Sequence, residues 1–290
     1  MKEELTKVKK MKIPGLLERL FTAIVFAAVM VGGIYGGKIS FLLLFAVITC
    51  LCLWEFLSLV LNGRAKRDRI RKVLGITVGL VPYVVEAIYL LGWVNQPRLY
   101  IVLSSFALFL LIFLIFIYEL FSRSEQPFHN LAFIVLGMIY IGFPFALLNF
   151  VAIAKGSYYP NIVFGLLLIT WCSDTAAYLV GSTFGKRLLF PRISPKKTWE
   201  GSLGGAFITL LFAVAISRII PELSLVSWLV LAVIVITFGG FGDLIESMLK
   251  RSFQIKDSGR LLPGHGGILD RFDAFIFMLP FAAAYLLWVR

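Results

Sequence analysis

Charge is scarce in this chain. Asp, Glu, Lys and Arg together make 15% of its 290 residues, against about 25% in ordinary globular proteins. Too few polar side chains remain to coat a water-soluble core, which excludes an ordinary globular domain and a disordered chain. Histidine occurs twice, so a His-rich metal centre is excluded. The three cysteines, Cys50, Cys52 and Cys172, lie in apolar stretches. They read as small hydrophobes, not as a redox pair, a zinc set or a disulfide framework. Strict apolar–polar alternation is missing, which argues against a membrane barrel. No tandem repeat and no low-complexity segment is visible.

Long apolar runs are abundant. Hydrophobic residues make 60% of the chain, Phe alone contributes 27, and mean hydropathy is +0.92. A bilayer-crossing helix needs about 20 mostly apolar residues. Nine segments qualify: 20–37, 40–61, 73–93, 99–121, 131–153, 161–184, 201–219, 223–249 and 270–289. Backbone groups find no partner in lipid, so these runs predict helices. The expectation is an all-α, polytopic integral membrane protein with about nine transmembrane helices.

Basic residues set the orientation, because they are retained on the cytoplasmic side. With nine spans, 23 of the 28 Lys and Arg fall in alternate segments on one side, and 5 on the other. This places the N-terminus in the cytoplasm and the C-terminus on the far side. The loops 185–200 and 250–269 then face the cytoplasm. The basic stretch before the first span reads as a positive anchor, not a cleaved leader, since no small-residue cleavage site follows. The net charge of +12 is this topological signal plus attraction to anionic lipid headgroups. Its basic residues are divided among loops, so nucleic acid is not an expected partner. Residues 1–160 form an N-terminal transmembrane region of about five helices. Residues 161–290 form a C-terminal region that holds most of the intramembrane charge.

Ionisable groups inside spans are costly and mark candidate sites. Glu55, Glu86 and Glu119 stand alone, one per helix. Glu55 and Glu86 read as hydrogen-bonded to neighbouring helices, and Glu119 as able to reach the interface. The late spans differ. Asp243, Glu246, Ser247 and Lys250 share one helix face at i, i+3, i+4 and i+7. Asp270 and Asp273 open the last span, where the helix dipole favours carboxylates. Converging acids repel unless a cation neutralises them, and hard oxygens suit Mg²⁺. Asp243, Asp270 and Asp273 are therefore the expected metal ligands, with room in this reading for a second ion.

Between these helices lie Lys250, Arg251, Lys256, Arg260 and the run Pro263-Gly264-His265-Gly266-Gly267. Cationic side chains beside glycines suit phosphate, which the bare backbone can approach closely. A second basic string, Ser194-Pro195-Lys196-Lys197-Thr198-Trp199-Glu200-Gly201, precedes the seventh span. Asp174 sits deep in the sixth span, ahead of Tyr178, Gly181 and Gly185. The two glycines read as close helix packing, and Asp174 as a site residue. Basic phosphate ligands beside carboxylates are the apparatus of phosphoryl or nucleotidyl transfer.

The run from Ser247 to Asp273, with Lys250, Arg251, Lys256, Asp257, Gly259, Pro263, His265, Gly266, Gly267, Asp270, Arg271 and Asp273, resembles the long signature of the phosphatidate cytidylyltransferase (CDP-diacylglycerol synthase) family. The Ser194–Gly201 string and the Asp174/Tyr178/Gly181/Gly185 pattern are similar to further motifs of that family. The resemblance is specific over residues 171–273, and residues 1–160 share only hydrophobicity. It implies a Mg²⁺-dependent membrane enzyme that joins CTP to phosphatidic acid, releasing pyrophosphate and CDP-diacylglycerol for phospholipid synthesis. It implies a multi-pass protein of the inner (plasma) membrane, with its active site toward the cytoplasm. In this reading Asp243, Lys250, Asp270, Asp273, Asp174 and His265 are catalytic. Lys196, Lys197, Arg251, Lys256, Gly266, Gly267 and Arg271 bind phosphate. Glycine packing is compatible with a homodimer.

Three rivals were weighed. A related lipid enzyme, acting on an isoprenoid or ether lipid phosphate or as a CTP-dependent kinase, is disfavoured by the long signature. A transporter is disfavoured because the charge is confined to one half, without inverted symmetry. A passive scaffold has no need of so many acids at the membrane.

Overall fold

Backbone amides in hydrocarbon must find partners within their own segment, and this chain meets the requirement with helices. The computed structural model describes residues 13–61, 66–255, 258–259 and 266–290. Helices α1 (Ile13–Tyr35), α2 (Lys38–Val60), α3 (Lys66–Leu90) and α4 (Pro97–Ser122) come first. A fifth rod is broken into α5 (Pro127–Gly137) and α6 (Phe143–Ala152) by a π turn at Met138–Gly142. Then come α7 (Pro160–Phe184) and α8 (Trp199–Ile219). The next rod is α9 (Leu225–Ile234) and α10 (Gly240–Ser252), joined by a π turn at Val235–Gly239. Helix α11 (Leu269–Val289) closes the chain. Among the described residues, eight rods are long and apolar enough to cross a bilayer, and α1 adds a shorter apolar stretch, Leu20–Tyr35. The protein is a polytopic, helical membrane protein.

Two features depart from unbroken helices and plain loops. The π turn in the fifth rod lies where backbones touch: a Cβ on Gly142 would collide with the Gly79 carbonyl of α3. Pro144, just beyond, has no N–H to give the preceding turn. Short strands also form between rods. β1 (Ile153–Ala154) and β2 (Ser157–Tyr158) close around Lys155 and Gly156, both at positive φ, the geometry of a tight hairpin. β3 (Leu188–Phe190) pairs with β4 (Ser194–Thr198) inside the 185–200 loop.

The core draws on both halves of the sequence. Phe41, Phe45 and Phe56 of α2, Phe145 of α6, and Phe272 and Phe275 of α11 are all buried. Helices α7 and α8 pack backbone to backbone. A Cβ added at Gly201 would lie 2.8 Å from the Gly181 Cα, and one at Gly205 2.8 Å from the Ala177 Cα. Gly181 thus serves packing, as its spacing predicts.

Helix α4 is peripheral, and of its side chains only Ile115 and Glu119 are buried. Phe106, Phe109, Phe113 and Phe121 face outward, as suits a surface whose solvent is lipid. Its attachment runs through Glu119, which is 3% exposed and turned onto partners within the protein. The Arg71 Nη2 donates to its Oε2 at 2.9 Å and Arg71 Nε donates to its Oε1, while Ser122 and Asn130 donate to Oε2. Arg71 also pairs with Asp68. A buried guanidinium needs carboxylate partners, and α4 supplies one.

Candidate active site

The chemistry gathers where α10, α11, the β3–β4 hairpin and the end of α2 meet. The periodicity of α10 puts Asp243, Glu246, Ser247 and Lys250 on one face, with Gly242, Leu244 and Glu246 buried. Lys250 reaches across to α11. Its Nζ pairs with Glu246 and lies 2.7 Å from the Asp270 Oδ1. The Glu246 side chain is fully buried and the Lys250 side chain 14% exposed, so this cation is held by two acids inside the protein.

Asp270 is a hub. Beyond Lys250, it accepts the Gly267 amide on Oδ2 at 2.8 Å and the Ser258 amide at 3.2 Å. Gly266 has φ +85, and a Cβ there would stand 3.0 Å from the Asp270 Oδ2. Both glycines are needed for the close approach that lets Asp270 gather the loop ends. Glu55 does the same from α2: its Oε2 accepts the Leu269 amide at 2.8 Å and the Ser258 hydroxyl at 3.4 Å. A Cβ on Gly259 or Gly267 would collide with this carboxyl. The expected hydrogen bond from Glu55 to a neighbouring helix is therefore present. Its place at the site was not foreseen, because a lone Glu in an apolar helix carries no motif.

The hairpin delivers Lys197, whose Nζ lies 2.6 Å from the Asp243 Oδ2 and 3.4 Å from the Gly240 carbonyl. Three bonds fix the hairpin to α8. Thr198 caps the helix by accepting the Gly201 amide at 3.2 Å. Glu200 accepts the Lys186 and Arg187 amides at 3.0 and 3.1 Å. The Ser194–Gly201 string thus reads as a device for presenting Lys197.

Asp174, Asp270, Arg271 and Asp273 line a cavity of about 460 Å³ together with Thr22 and Phe26 of α1. Asp273 lies within electrostatic reach of Asp243 and Asp174, and Asp174 within reach of Lys197 and Arg271. Asp174, Asp270 and Asp273 line the cavity, Asp243 pairs with Lys197, and Asp270 with Glu246 also encloses Lys250. Of the expected metal ligands Asp243, Asp270 and Asp273, the last two line the cavity, and Asp270 is also engaged by Lys250 and two amides. Among the described residues, no three His, Cys, Asp or Glu side chains form a closed metal-binding group. The donor chemistry still fits a hard cation. Mg²⁺ is commonly held by one or two carboxylates plus substrate phosphates, not by an all-protein cage.

The other expected residues fall as follows. Lys196 is exposed on the hairpin. Arg251 is exposed, and its Nη1 donates to the Ile255 carbonyl at 3.4 Å; it is not brought to the carboxylates. Lys256 and His265 lie outside the described residues. Thr22 and Phe26 were not foreseen, because α1 reads as a plain hydrophobic span.

Acids and an arginine thus share one cavity of a helical membrane protein with the apolar side chains of Phe26 and Trp171. Sequence comparison makes the class specific. Residues 17–289 match the model of the Cytidylyltransferase family, and the chain belongs to that family. It is 35% identical over 274 residues to a phosphatidate cytidylyltransferase of Bacillus subtilis, covering 91% of this chain and 95% of that protein. The phosphatidate cytidylyltransferase of Staphylococcus saprophyticus is 34% identical over 264 residues, 90% of this chain and 95% of that one. The Staphylococcus aureus protein of the same name is 33% identical with the same coverage.

Proposed function

We propose that this chain makes CDP-diacylglycerol and pyrophosphate from CTP and phosphatidic acid, at the cytoplasmic face of the plasma membrane. The observation that carries the reading is a cavity lined both by Asp174, Asp270, Arg271 and Asp273 and by the apolar side chains of Phe26 and Trp171. A phosphate monoester with two acyl chains combines the same two chemistries. The names of the relatives supply the nucleotide and the lipid. The basic loops supply the orientation, since 23 of 28 Lys and Arg lie on the site's side when nine spans are counted.

In this mechanism a phosphatidate oxygen attacks the α-phosphorus of CTP, a new P–O–P bond forms, and the bond to the β-phosphate oxygen breaks. The electron pair leaves with pyrophosphate. The attacking phosphate is already an oxyanion near neutral pH, so no strong general base is needed. Two polyanions must approach, and Arg271 in the cavity wall and Lys197 beside Asp243 lower that repulsion. Lys250 stays with Glu246 and Asp270, and Asp270 in turn holds the loop end through the Gly267 and Ser258 amides. Mg²⁺, when bound by Asp243 and Asp273 with Asp174 beside them, would supply charge neutralisation for the triphosphate.

Transfer of label from α-labelled CTP into extractable lipid tests the reading, with phosphatidic acid as acceptor. The folded Asp243→Asn variant is expected to lose at least about a hundredfold in rate. Full activity in that variant would remove Asp243 from the mechanism. No lipid label with the intact protein would reject the activity.

A further inference from the structure

Away from the candidate active site, α3, α4 and α6 enclose a second cavity of about 450 Å³. Its walls are apolar except for Glu86, Tyr89, Ser104 and Ser105. Glu86 is 8% exposed, and its Oε1 is buried without a hydrogen-bond partner. An ionisable group inside a span with a buried, unpartnered oxygen is a candidate for serving a ligand. Among the described residues no hydrogen bond joins the Glu86 Oε1 to a neighbouring helix.

The position of Glu86 narrows the chemistry. It lies one helical turn before the end of α3 at Leu90, the end opposite the catalytic loops. The mouth continues into a hollow lined by Tyr89, Ile101, Gln96 and Arg98, and Tyr89 and Ile101 line both spaces. Arg98 is exposed in the first turn of α4 and makes no salt bridge among the described residues. From interface inward the order is a cation, a carboxyl with two hydroxyls, and an apolar chamber. A glycerophospholipid has the same order: phosphate, glycerol oxygens, acyl chain.

We propose that this cavity binds one glycerophospholipid from the leaflet opposite the active site. The phosphate meets Arg98, a glycerol-backbone oxygen meets Glu86, and one acyl chain fills the chamber. A carboxyl group bonds a glycerol hydroxyl as acceptor or an ester carbonyl as donor. A Gln in its place keeps both options, and a Leu keeps neither. The volume lies in the range of sites for small amphiphiles. The site is separate from the catalytic residues and does not depend on the proposed reaction.

Native mass spectrometry of the purified full chain, titrated with phosphatidylglycerol, tests this. The intact protein is expected to retain one lipid. Glu86→Leu should weaken binding about tenfold, the loss of one well-placed hydrogen bond, and Arg98→Gln by a similar factor. Glu86→Gln should bind as the parent does. Ser105→Trp, which fills the mouth from an exposed position, should abolish retention even if Glu86→Leu does not fold. Inorganic phosphate should not displace the lipid. Equal retention by the parent, Glu86→Leu and Ser105→Trp would mean annular lipid only and would overturn the proposal. Displacement by phosphate alone would overturn the two-point contact. Cytidylyl transfer by the same samples serves as a folding control, so failure of that activity in every sample leaves the lipid result readable.

Discussion

At the scale of single residues, Lys250 carries the most weight. It is enclosed by Glu246 and Asp270, and Glu246 is fully buried. Removing one member of a buried pair leaves an uncompensated charge, at a cost of about 3–5 kcal/mol. Lys250→Met is expected to lower stability by that order, measured as loss of folded protein on heating in detergent. The double variant Lys250→Met with Glu246→Gln should regain most of the stability and none of the turnover. A single variant as stable as the parent would show that Glu246 finds another partner. Asp270 belongs to the same knot, because it accepts Lys250, Gly267 and Ser258 together. Its position in the family-like run is readable from sequence. Its work as a gatherer of the loop is not, since that depends on which amides come within reach.

At the scale of elements, the helices bring distant chemistry together by backbone contact. Helix α2 contributes Glu55, which holds the start of α11 and Ser258. Glu55→Ala should reduce kcat about a hundredfold, as a displaced reactive loop does, with KM for CTP changed less. Glu55→Gln retains an oxygen for the Leu269 amide and should restore most of kcat. Equal loss in both variants would point to the charge of Glu55, not to its positioning. Helices α7 and α8 make the second contact. Gly205→Val would force a side chain against the Ala177 backbone and cost at least about 1–3 kcal/mol, read as a lower unfolding temperature. Helix existence was legible throughout the sequence, because hydrophobic length and the lack of alternation leave few options. The π turns and the small hairpins were not, since they follow from approaches such as Gly142 to Gly79 that hydropathy does not encode. The α10 face and the Gly266-Gly267 pair were legible by spacing. Glu55, Thr22 and Phe26 were not, because they join the site only through packing.

At the scale of the whole molecule, the proposal assigns opposite ends to opposite sides of the membrane. Lys196 lies on the hairpin beside the carboxylates, and Lys155 lies in the turn between β1 and β2. With the native cysteines replaced, Lys196→Cys should react with an impermeant maleimide only from the cytoplasm. Lys155→Cys should react only from outside. The reverse pattern would invert the topology that the basic loops predict.

The central claim is that the cavity transfers a cytidylyl group and not a phosphoryl group. Purified protein in detergent with phosphatidic acid and Mg²⁺ can be given α-labelled or γ-labelled CTP in parallel. The account predicts α-label in extractable lipid and γ-label in pyrophosphate. Appearance of γ-label in the lipid would contradict it.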